Sequence, residues 1–296
     1  MAKLQKIHIE ITNVCNLKCS FCPSVDRDAR FMAPAAFEQV LLKVKDHSQW
    51  VCLHLMGEPT AHPQFAEIVE RCHFYQKKVY LVTNGLLMPR HTALLQGQGF
   101  FHQINFSLQS YWDNFPDRDI KPYLESLLQV SNLVFQNEPH VYVNFRFWDR
   151  GHESEKSKQA IQYILEHYNL NLDVERLLAG EHFDQNRKRF LLAPRHYLHF
   201  DQRFAWPSKQ SNPDYGLRGR CQALKTHAGV LVDGTVVPCC LDSEGELALG
   251  HLLENQASSF SEILGGRRAQ NLRHGFTQGR RLEDLCRHCD FINRFQ

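Results

Sequence analysis

Three cysteines stand close together near the start of the chain, in the stretch CNLKCSFCP (15–23). Cys15, Cys19 and Cys22 are spaced C-x3-C-x2-C. A structural zinc ion and an ordinary iron–sulfur cluster each need four ligands. Three thiolates on one loop would hold three irons of a four-iron cluster and leave one iron open, as a catalytic centre requires. A zinc knuckle with a remote fourth ligand and a ferredoxin-type cluster are the alternatives.

A second group of cysteines lies in the last third of the chain. Its members are Cys221, Cys239, Cys240, Cys286 and Cys289. The pair CRHC (286–289) has the C-x2-C spacing of metal sites. The dipeptide Asp233-Gly234 predicts a two-residue hairpin, which can bring the cysteines before and after it together. A zinc site is the alternative for this module, while the isolated Cys52 and Cys72 are expected to be structural.

The elements that position these cysteines follow from hydrophobic periodicity. Strands are predicted at KIHIEIT (6–12), WVCLHLM (50–56), KVYLVT (78–83), QINFSLQ (103–109), HVYVNFRFW (140–148) and LDVERLL (172–178). Helices are predicted near 34–47, 62–76, 89–97, 121–137 and 153–168. About six β–α units in a row predict an α/β fold with a parallel sheet. Because a complete TIM barrel has eight units, we expect an incomplete one.

The amino-acid composition of the chain changes after about residue 200. WPSKQSNPDYGLRGRC (206–221) is rich in Pro, Gly and Ser and is typical of a linker or irregular segment. The predicted hairpin and a helical stretch near 257–273 follow it. We therefore predict a core domain over residues 1–205 and a small hairpin-plus-helix domain over 206–296.

One face of most predicted strands is polar. The polar sets are His8, Glu10 and Thr12; Cys52, His54, Met56 and Glu58; Asn105, Ser107 and Gln109; and Tyr142, Asn144, Arg146 and Trp148. Strands that are buried on both faces are normally apolar throughout. The pattern therefore indicates a ligand cavity on the inner face, and an antiparallel sheet with one wet face is the alternative.

The N-terminal motif resembles the signature of the radical S-adenosylmethionine superfamily. Cys15, Cys19 and Cys22 match its cysteines, and Phe21 matches the aromatic residue before the last of them. The resemblance implies that the open iron binds the amino and carboxylate groups of S-adenosylmethionine. An electron, delivered by a donor such as flavodoxin or ferredoxin, would then release methionine and a 5′-deoxyadenosyl radical that abstracts hydrogen from substrate.

Other stretches fit the same family, each at a predicted strand end, although each alone is an ordinary turn. They are MGEPTAHP (56–63), TNG (83–85) and FSLQS (106–110). The cofactor-binding candidates are Phe21, Gly57, Glu58, Pro59, Asn84, Ser107, Gln109 and Asn144. Arg146 is a catalytic candidate that would pair with the methionine carboxylate or with substrate, and a surface ion pair is its alternative.

The C-terminal segment, roughly 215–291, resembles the twitch domain, a shortened SPASM extension that holds one auxiliary 4Fe–4S cluster. By this resemblance the cluster ligands are Cys221, Cys239, Cys286 and Cys289. Cys240 then points the other way, as a buried small side chain or as a proton donor or acceptor at the substrate. The cluster would carry an electron or shape the pocket, which favours net oxidation or bond formation.

The composition of the chain limits the kinds of partner and the cellular location that we expect. The 296 residues carry a formal net charge of +2, which gives no argument for a nucleic acid or a membrane as partner. The start has no signal-peptide pattern, so we expect a cytoplasmic protein, where ten cysteines favour metal ligation over disulfides. The basic stretch GGRRAQNLRHGFTQGRR (265–281) fits a solvated helix face or a contact with phosphate or RNA.

The substrate class stays open between a polar small molecule and a peptide. No precursor-binding domain precedes the first strand, which disfavours a peptide, although a separate protein can bind a leader. The alternatives are a peptide (RiPP-type) maturase, an RNA-modifying radical enzyme, a non-catalytic iron–sulfur electron carrier and a zinc-stapled binding module.

Overall fold

A computed structural model describes residues 3–148, 154–180, 188–254 and 258–295. Among these residues the strands are β1 (Leu4–Ile9), β2 (Ser48–Cys52), β3 (Lys78–Thr83), β4 (Phe101–Ser107), β5 (Tyr142–Phe147), β6 (Arg189–Ala193), β7 (His196–Phe200), β8 (His227–Val230), β9 (Thr235–Val237) and β10 (Gly250–His251). The α-helices are α1 (Pro34–Val44), α2 (Phe65–Phe74), α3 (Gln109–Asn114), α4 (Lys121–Asn137), α5 (Glu155–His167), α6 (Val174–Leu178), α7 (Phe260–Gly265), α8 (Arg267–Thr277) and α9 (Asp284–Arg287). Short 3₁₀ turns lie at Lys45–His47, Pro59–Ala61, Met88–Leu95 and Asp290–Phe295.

The chain forms two compact units, which are Met1–Asn16 with Phe21–Val79 and Phe204–Gln296, and Leu17–Ser20 with Tyr80–Arg203. In the first unit β1 is the central strand. It pairs in parallel with β2 on one side and with β8 on the other, and β9 and β10 continue antiparallel beyond β8. The register sets His8 opposite Cys52 and opposite Gly229. The last third of the chain therefore adds its hairpin directly to the strand that precedes the first three cysteines.

The helices of the first unit form where apolar residues recur every three or four positions. α1 starts with Pro34 at its first turn, where a missing amide hydrogen costs nothing, and buries Phe37, Leu41 and Val44. α7 begins with a capping box in which Ser259 and Glu262 satisfy each other's backbone amides. In β1 of the same unit, the apolar side chains of Ile7 and Ile9 are fully buried.

In the second unit β4, β5 and β7 run parallel, and β6 returns antiparallel at the edge beyond β7. α4 and α5 pack against each other and bury apolar faces, among them Leu127 and Ile161. The N-terminus of α5 is capped by the Ser154 hydroxyl, which accepts from the Ser157 amide. Two polar residues of these strands, Asn105 and Asn144, are buried as well.

Several element predictions differ from the structure. The α-helix expected near 89–97 is a 3₁₀ segment, Met88–Leu95, with non-helical backbone at His91. Residues 172–178 were expected to form a strand, but Asp173 caps a helix there, and β7 is the strand that extends the parallel set beyond β5. The hairpin loop holds three residues rather than two, because Leu231 still pairs with Thr235 and Gly234 adopts φ +99°. The single helix expected near 257–273 is two helices, since Gly266 is extended between α7 and α8; residues 153 and 257 lie outside the described part.

Among the described helices, none combines the length and the apolar character needed to cross a lipid bilayer.

Candidate cluster and cofactor site

In the second unit, helix α3 holds part of the cysteine loop by its C-terminal residues. The Asn114 side chain accepts from the Lys18 amide at 2.8 Å and donates to Cys19 Sγ at 3.2 Å. Asp113 accepts from the Ser20 amide at 2.6 Å and from the Ser20 hydroxyl at 2.7 Å. A donor directed at sulfur favours the thiolate form, which is the form that binds iron. The sequence analysis missed Asp113 and Asn114, because nothing local in YWDN signals a contact more than ninety residues away.

In the first unit, the buried carboxylate of Glu10 joins several loops. Arg27 donates to both carboxylate oxygens, at 2.8 and 2.9 Å, and the amides of Met56 and Val232 donate at 3.1 Å each. The same guanidinium donates through Nε to the Ser243 carbonyl at 2.7 Å. Glu10 thereby ties the segment after Cys22 to the ends of β2 and β8. The sequence placed Glu10 on the polar face but did not identify Arg27 as its partner.

The Gly57-Glu58-Pro59 turn lies against the start of the cysteine loop. Gly57 has φ +72°, and a Cβ there would overlap the Thr12 carbonyl and lie 2.9 Å from Val14 O. The Glu58 amide donates to Val14 O at 2.9 Å. The buried Glu58 carboxylate accepts from the Thr60 amide at 3.0 Å and from its hydroxyl at 2.7 Å. This turn therefore fixes both a carboxylate and the backbone that leads into Cys15.

Several predicted residues lie on neighbouring strands of the second unit. Asn144 donates to Asn105 Oδ1 at 3.1 Å, and Asn105 donates to the Leu81 carbonyl at 2.9 Å. Ser107 stands opposite Arg146 in the register of β4 and β5, and Arg146 stands opposite His199 in that of β5 and β7. The structure thus lines up a hydroxyl, a guanidinium and an imidazole at one level of the sheet.

Gln109 and Asn84 lie at the strand ends that the sequence indicated. Gln109 is buried, and its Oε1 has no hydrogen-bond partner among the described residues. The buried Asn84 accepts from the Leu86 amide at 3.1 Å through Oδ1, and its backbone carbonyl accepts from the Tyr123 hydroxyl at 2.8 Å. Because a buried acceptor without a partner is costly, Gln109 Oε1 is suited to receive a ligand donor.

His199 was missed by the sequence analysis. Burial and the neighbouring Arg146 cation lower the pKa of His199 to about 4, so its imidazole is neutral at pH 7. Its Nδ1 is buried and lacks a hydrogen-bond partner in the described part of the chain. The sequence signal was weak, because HYLHF (196–200) was not predicted as a strand and stands just before the segment that was assigned to a linker (206–221).

The C-terminal cysteines lie near one another in the first unit. Burial raises the pKa of the Cys239 thiol, and Cys240, Cys221 and Cys286 raise it further. Burial likewise raises the pKa of the Cys286 thiol, and Cys221 and Cys289 add to that rise. Burial, and secondarily Cys221, raises the pKa of Cys289 to about 11. Isolated thiols would thus stay protonated here, and binding of metal would release their protons.

Cys240 has a different environment from its neighbour Cys239. It packs against the buried apolar cluster of Leu55, Met56, Leu231 and Val237. Burial raises the pKa of its thiol, and the nearby Lys6 cation opposes that rise. Lys6 also opposes the rise that burial causes in the pKa of the Cys52 thiol. Cys52 is the β2 residue that stands opposite His8. Cys240 thus lies against an apolar cluster and within reach of the charge of Lys6.

The donor set fits iron–sulfur clusters. Four thiols that burial alone would keep protonated are held near each other, and a hydrogen bond is directed at Cys19. Within the described ranges, no three His, Cys, Asp or Glu side chains are grouped to hold a single metal ion. A four-iron cluster takes one thiolate on each iron, so its ligands need not converge on one point.

Comparisons with known proteins agree with this donor set. A family model described as the radical SAM superfamily matches residues 9–170, more than half of the chain. A model described as an iron–sulfur cluster-binding domain, SPASM, matches residues 221–290. The GTP 3′,8-cyclase of Synechocystis sp. is 30% identical over 115 residues, which are 36% of this chain and 34% of that protein. The alignment thus spans about a third of that relative.

Two solved structures share the fold over nearly the whole chain. BtrN, in complex with AdoMet and 2-DOIA, superposes with a TM-score of 0.55 at 18% identity, covering 98% of this chain and 94% of its own. Streptococcus suis SuiB, bound to precursor peptide SuiA, gives a TM-score of 0.61 at 14% identity, covering 98% and 72%. The predicted fold class, an incomplete TIM-type barrel followed by a small iron–sulfur domain, is confirmed, and so are 4Fe–4S clusters and S-adenosylmethionine as cofactors.

Proposed function

The chain belongs to the radical SAM superfamily, and on that premise we propose that it is an enzyme that oxidises, or forms a bond in, a polar substrate by a radical route. The observation that carries the proposal is the contrast between its two cysteine sets. The N-terminal loop offers three thiols, whereas the C-terminal segment offers five, enough to supply all four ligands of a cluster. Three thiolates leave one iron of a four-iron cluster without a protein ligand, which suits a cluster that binds S-adenosylmethionine. Four thiolates occupy every iron, which suits a cluster that only transfers electrons.

In this proposal Cys15, Cys19 and Cys22 hold the first cluster. When bound, the cluster and S-adenosylmethionine together supply an electron and a 5′-deoxyadenosyl radical that abstracts a hydrogen atom. In the second unit, Asn114 keeps Cys19 oriented through its hydrogen bond to sulfur. In the first unit, the turn at Gly57 and Glu58 holds the backbone that leads into Cys15.

S-adenosylmethionine presents an ammonium, a carboxylate and a ribose. Glu58 supplies negative charge for the ammonium, and Arg146 supplies positive charge for a carboxylate. Gln109, Ser107, Asn84 and Asn144 are the neutral polar groups for the ribose and the substrate, and Gln109 Oε1 is buried with no partner in the described chain. Phe21 and Pro59 supply apolar contact.

Oxidation requires that the substrate radical lose one electron and one proton. A carbon radical next to a hydroxyl oxygen that loses both becomes a carbonyl carbon. Cys221, Cys239, Cys286 and Cys289 would hold the group that takes the electron. His199 is neutral at pH 7, because its pKa is about 4, so its Nδ1 can accept a hydrogen bond from the substrate but is a weak base. Cys240 is the candidate for moving a proton.

The substrate class that we favour is a polar small molecule. Buried polar side chains, including His8, Asn105 and Asn144, line the inner faces of the strands. A peptide is the second candidate, supported by the shared fold of SuiB with its precursor peptide. The proposed location is cytoplasmic, because ten cysteines in a reducing compartment favour metal ligation over disulfides. A reduced flavodoxin or ferredoxin would then be the electron donor.

Deuterium transfer tests the proposal. The reconstituted, reduced protein is incubated with S-adenosylmethionine and fractions of an extract from cells grown on deuterated medium. We expect deuterium in 5′-deoxyadenosine with the fraction of polar small metabolites and none with the peptide fraction. Transfer only from the peptide fraction would replace the small-molecule substrate by a peptide. Transfer from neither fraction, with 5′-deoxyadenosine still formed, would contradict hydrogen abstraction from such substrates.

A further inference from the structure

Arg281 is the largest fully buried side chain of the described chain, with none of its surface exposed. Its Nη2 donates to Asn293 Oδ1 at 2.9 Å. Its Nε and Nη1 are buried and have no hydrogen-bond partner among the described residues. The sequence analysis had placed this residue at the end of a solvated basic helix face, which is wrong for Arg281, since α8 ends at Thr277. A buried guanidinium with two unused donors requires an explanation.

The backbone places Arg281 next to the C-terminal cysteines. The Arg281 amide donates to the Leu217 carbonyl at 2.7 Å, and the Gly219 amide donates to the Gly279 carbonyl at 2.9 Å. These bonds pair the segment that leads into Cys221 with the segment that leads into α9. A Cβ at Gly219 would overlap the guanidinium at Nε, so the glycine leaves room for it.

The charge of Arg281 reaches two of the proposed ligands. Its guanidinium lowers the pKa of the Cys221 and Cys289 thiols, against the larger effect of burial. Among the described residues no carboxylate forms an ion pair with Arg281. The side chain of Asn293, which accepts from Arg281 Nη2, donates to Asp290 Oδ1 at 3.4 Å. This indirect connection to a carboxylate leaves Nε and Nη1 of Arg281 unused. A buried, unpaired cation costs several kcal/mol, so an anion is expected at Nε and Nη1.

We propose that Arg281 is the buried counter-ion of the auxiliary cluster, donating from Nε and Nη1 to its sulfur atoms and raising its reduction potential. A four-iron cluster on four thiolates is an anion, and reduction adds another negative charge to it. A fixed cation and N–H···S hydrogen bonds both favour the reduced form. The inference rests on the proposed auxiliary cluster, and it makes that cluster a better acceptor of a substrate electron.

The reduction potential of the auxiliary cluster tests this role independently of turnover. The parent protein is the full chain with Cys15, Cys19 and Cys22 all changed to Ala, so that one cluster remains. Its potential is measured by redox titration followed by electron paramagnetic resonance. The variants are Arg281→Met and Arg281→Lys, and Arg267→Met is the matched control because it removes an exposed arginine from the same segment.

We expect Arg281→Met to lower the ratio of reduced to oxidised cluster at least tenfold at a fixed potential, which is about 59 mV for one electron. Arg281→Lys keeps the charge but not the planar pair of donors, so its ratio of reduced to oxidised cluster should lie between that of Arg281→Met and that of the parent. Arg267→Met should leave the ratio unchanged. Gly219→Ala keeps the arginine but displaces it, and it should shift the ratio in the same direction if Arg281→Met does not fold.

A cluster that loads fully in every variant, with ratios within twofold of the parent, would overturn the role of Arg281 and leave the proposed function intact. A parent that loads no iron after reconstitution would overturn both, because the four cysteines would then hold no cluster. Equal shifts in Arg267→Met and Arg281→Met would reduce the effect to net charge and would also overturn the proposal.

Discussion

Glu10 satisfies four hydrogen-bond donors with one fully buried carboxylate. Glu10→Gln replaces one acceptor oxygen by an NH₂ group and leaves the Arg27 guanidinium, whose side chain is 15% exposed, without its counter-charge. We expect a loss of about 3 kcal/mol in the free energy of unfolding, as for other broken buried pairs. Urea unfolding under anaerobic conditions, followed by circular dichroism, measures it.

The control for this variant is Asp28→Asn, which removes the partner of Arg30 in an exposed pair with side chains 54% and 80% accessible. That change should cost less than about 1 kcal/mol. Equal losses of unfolding free energy in Glu10→Gln and Asp28→Asn would show that the buried Glu10 carboxylate does not stabilise the loops that it contacts.

His196 gives the second unit a predictable response to acid. Burial lowers its pKa to about 4, and its Nδ1 lies 2.8 Å from the Tyr168 hydroxyl and 3.1 Å from the Ser131 hydroxyl. In the unfolded chain the pKa is about 6.5, so only the unfolded chain gains the proton as the pH falls. Its contribution to stability is therefore present above about pH 6.5 and is lost on the way down to about pH 4.

His196→Gln should remove this part of the pH dependence. We expect the wild type to lose about 2 kcal/mol more than the variant in its free energy of unfolding between pH 7 and pH 5. His167→Gln, at the exposed end of α5, is the control and should behave as the wild type. A variant whose loss over this pH range equals that of the wild type would contradict the buried, neutral state of His196.

Single residues were predictable where sequence spacing or strand alternation carried them. Cys221, Cys239, Cys286 and Cys289 were grouped by their spacing and by resemblance, and the structure places them near one another. His199 and Arg281 were not found, because their burial depends on segments far apart in the chain. Helix and strand propensities describe the local backbone. They carry no information about which side chains, distant in sequence, contact a charged group in the fold.

At the scale of elements, the turn after β2 is the most sensitive part of the cofactor site. Gly57→Ala introduces a Cβ that overlaps Thr12 O and lies 2.9 Å from Val14 O, in a residue with φ +72°. The cysteine loop must then move away from the Glu58 turn. We expect affinity for S-adenosylmethionine to fall at least tenfold, about 1.4 kcal/mol, in equilibrium binding to the reconstituted protein.

Gly216→Ala separates backbone strain from collision. Gly216 has φ +81°, but a Cβ there would meet nothing within 4 Å. Both variants carry the strain of a left-handed residue, about 1–3 kcal/mol, so both should unfold more easily. Only Gly57→Ala should weaken the binding of S-adenosylmethionine, and weakening of equal size in both would argue against a role for this turn in the site.

Elements with strong periodicity were predicted well. β3 occupies residues Lys78–Thr83 and α4 occupies Lys121–Asn137, as the pattern indicated. The segment 172–178 was wrong because a short apolar run fits either a strand or a buried helix turn, and the Asp173 cap decided for the helix. The β6–β7 pair was missed, since its antiparallel return breaks the β–α alternation on which the prediction rested.

At the scale of the whole molecule, the sequence was sufficient for the family and the cofactors, both of which are confirmed. The domain division at residues 205 and 206 stays a prediction, and so does the assignment of each site residue. The substrate was not predictable, because a polar inner face favours hydrophilic molecules in general and names none of them. Two clusters of four irons predict about eight irons per chain in the reconstituted protein.

The most direct test of the account is reductive cleavage of S-adenosylmethionine. The anaerobically reconstituted protein is reduced, given S-adenosylmethionine, and assayed for 5′-deoxyadenosine by liquid chromatography. The account predicts 5′-deoxyadenosine from the wild type and none from the chain in which Cys15, Cys19 and Cys22 are changed to Ala. A wild type loaded with about eight irons per chain that forms no 5′-deoxyadenosine, even with cell extract present, would contradict it.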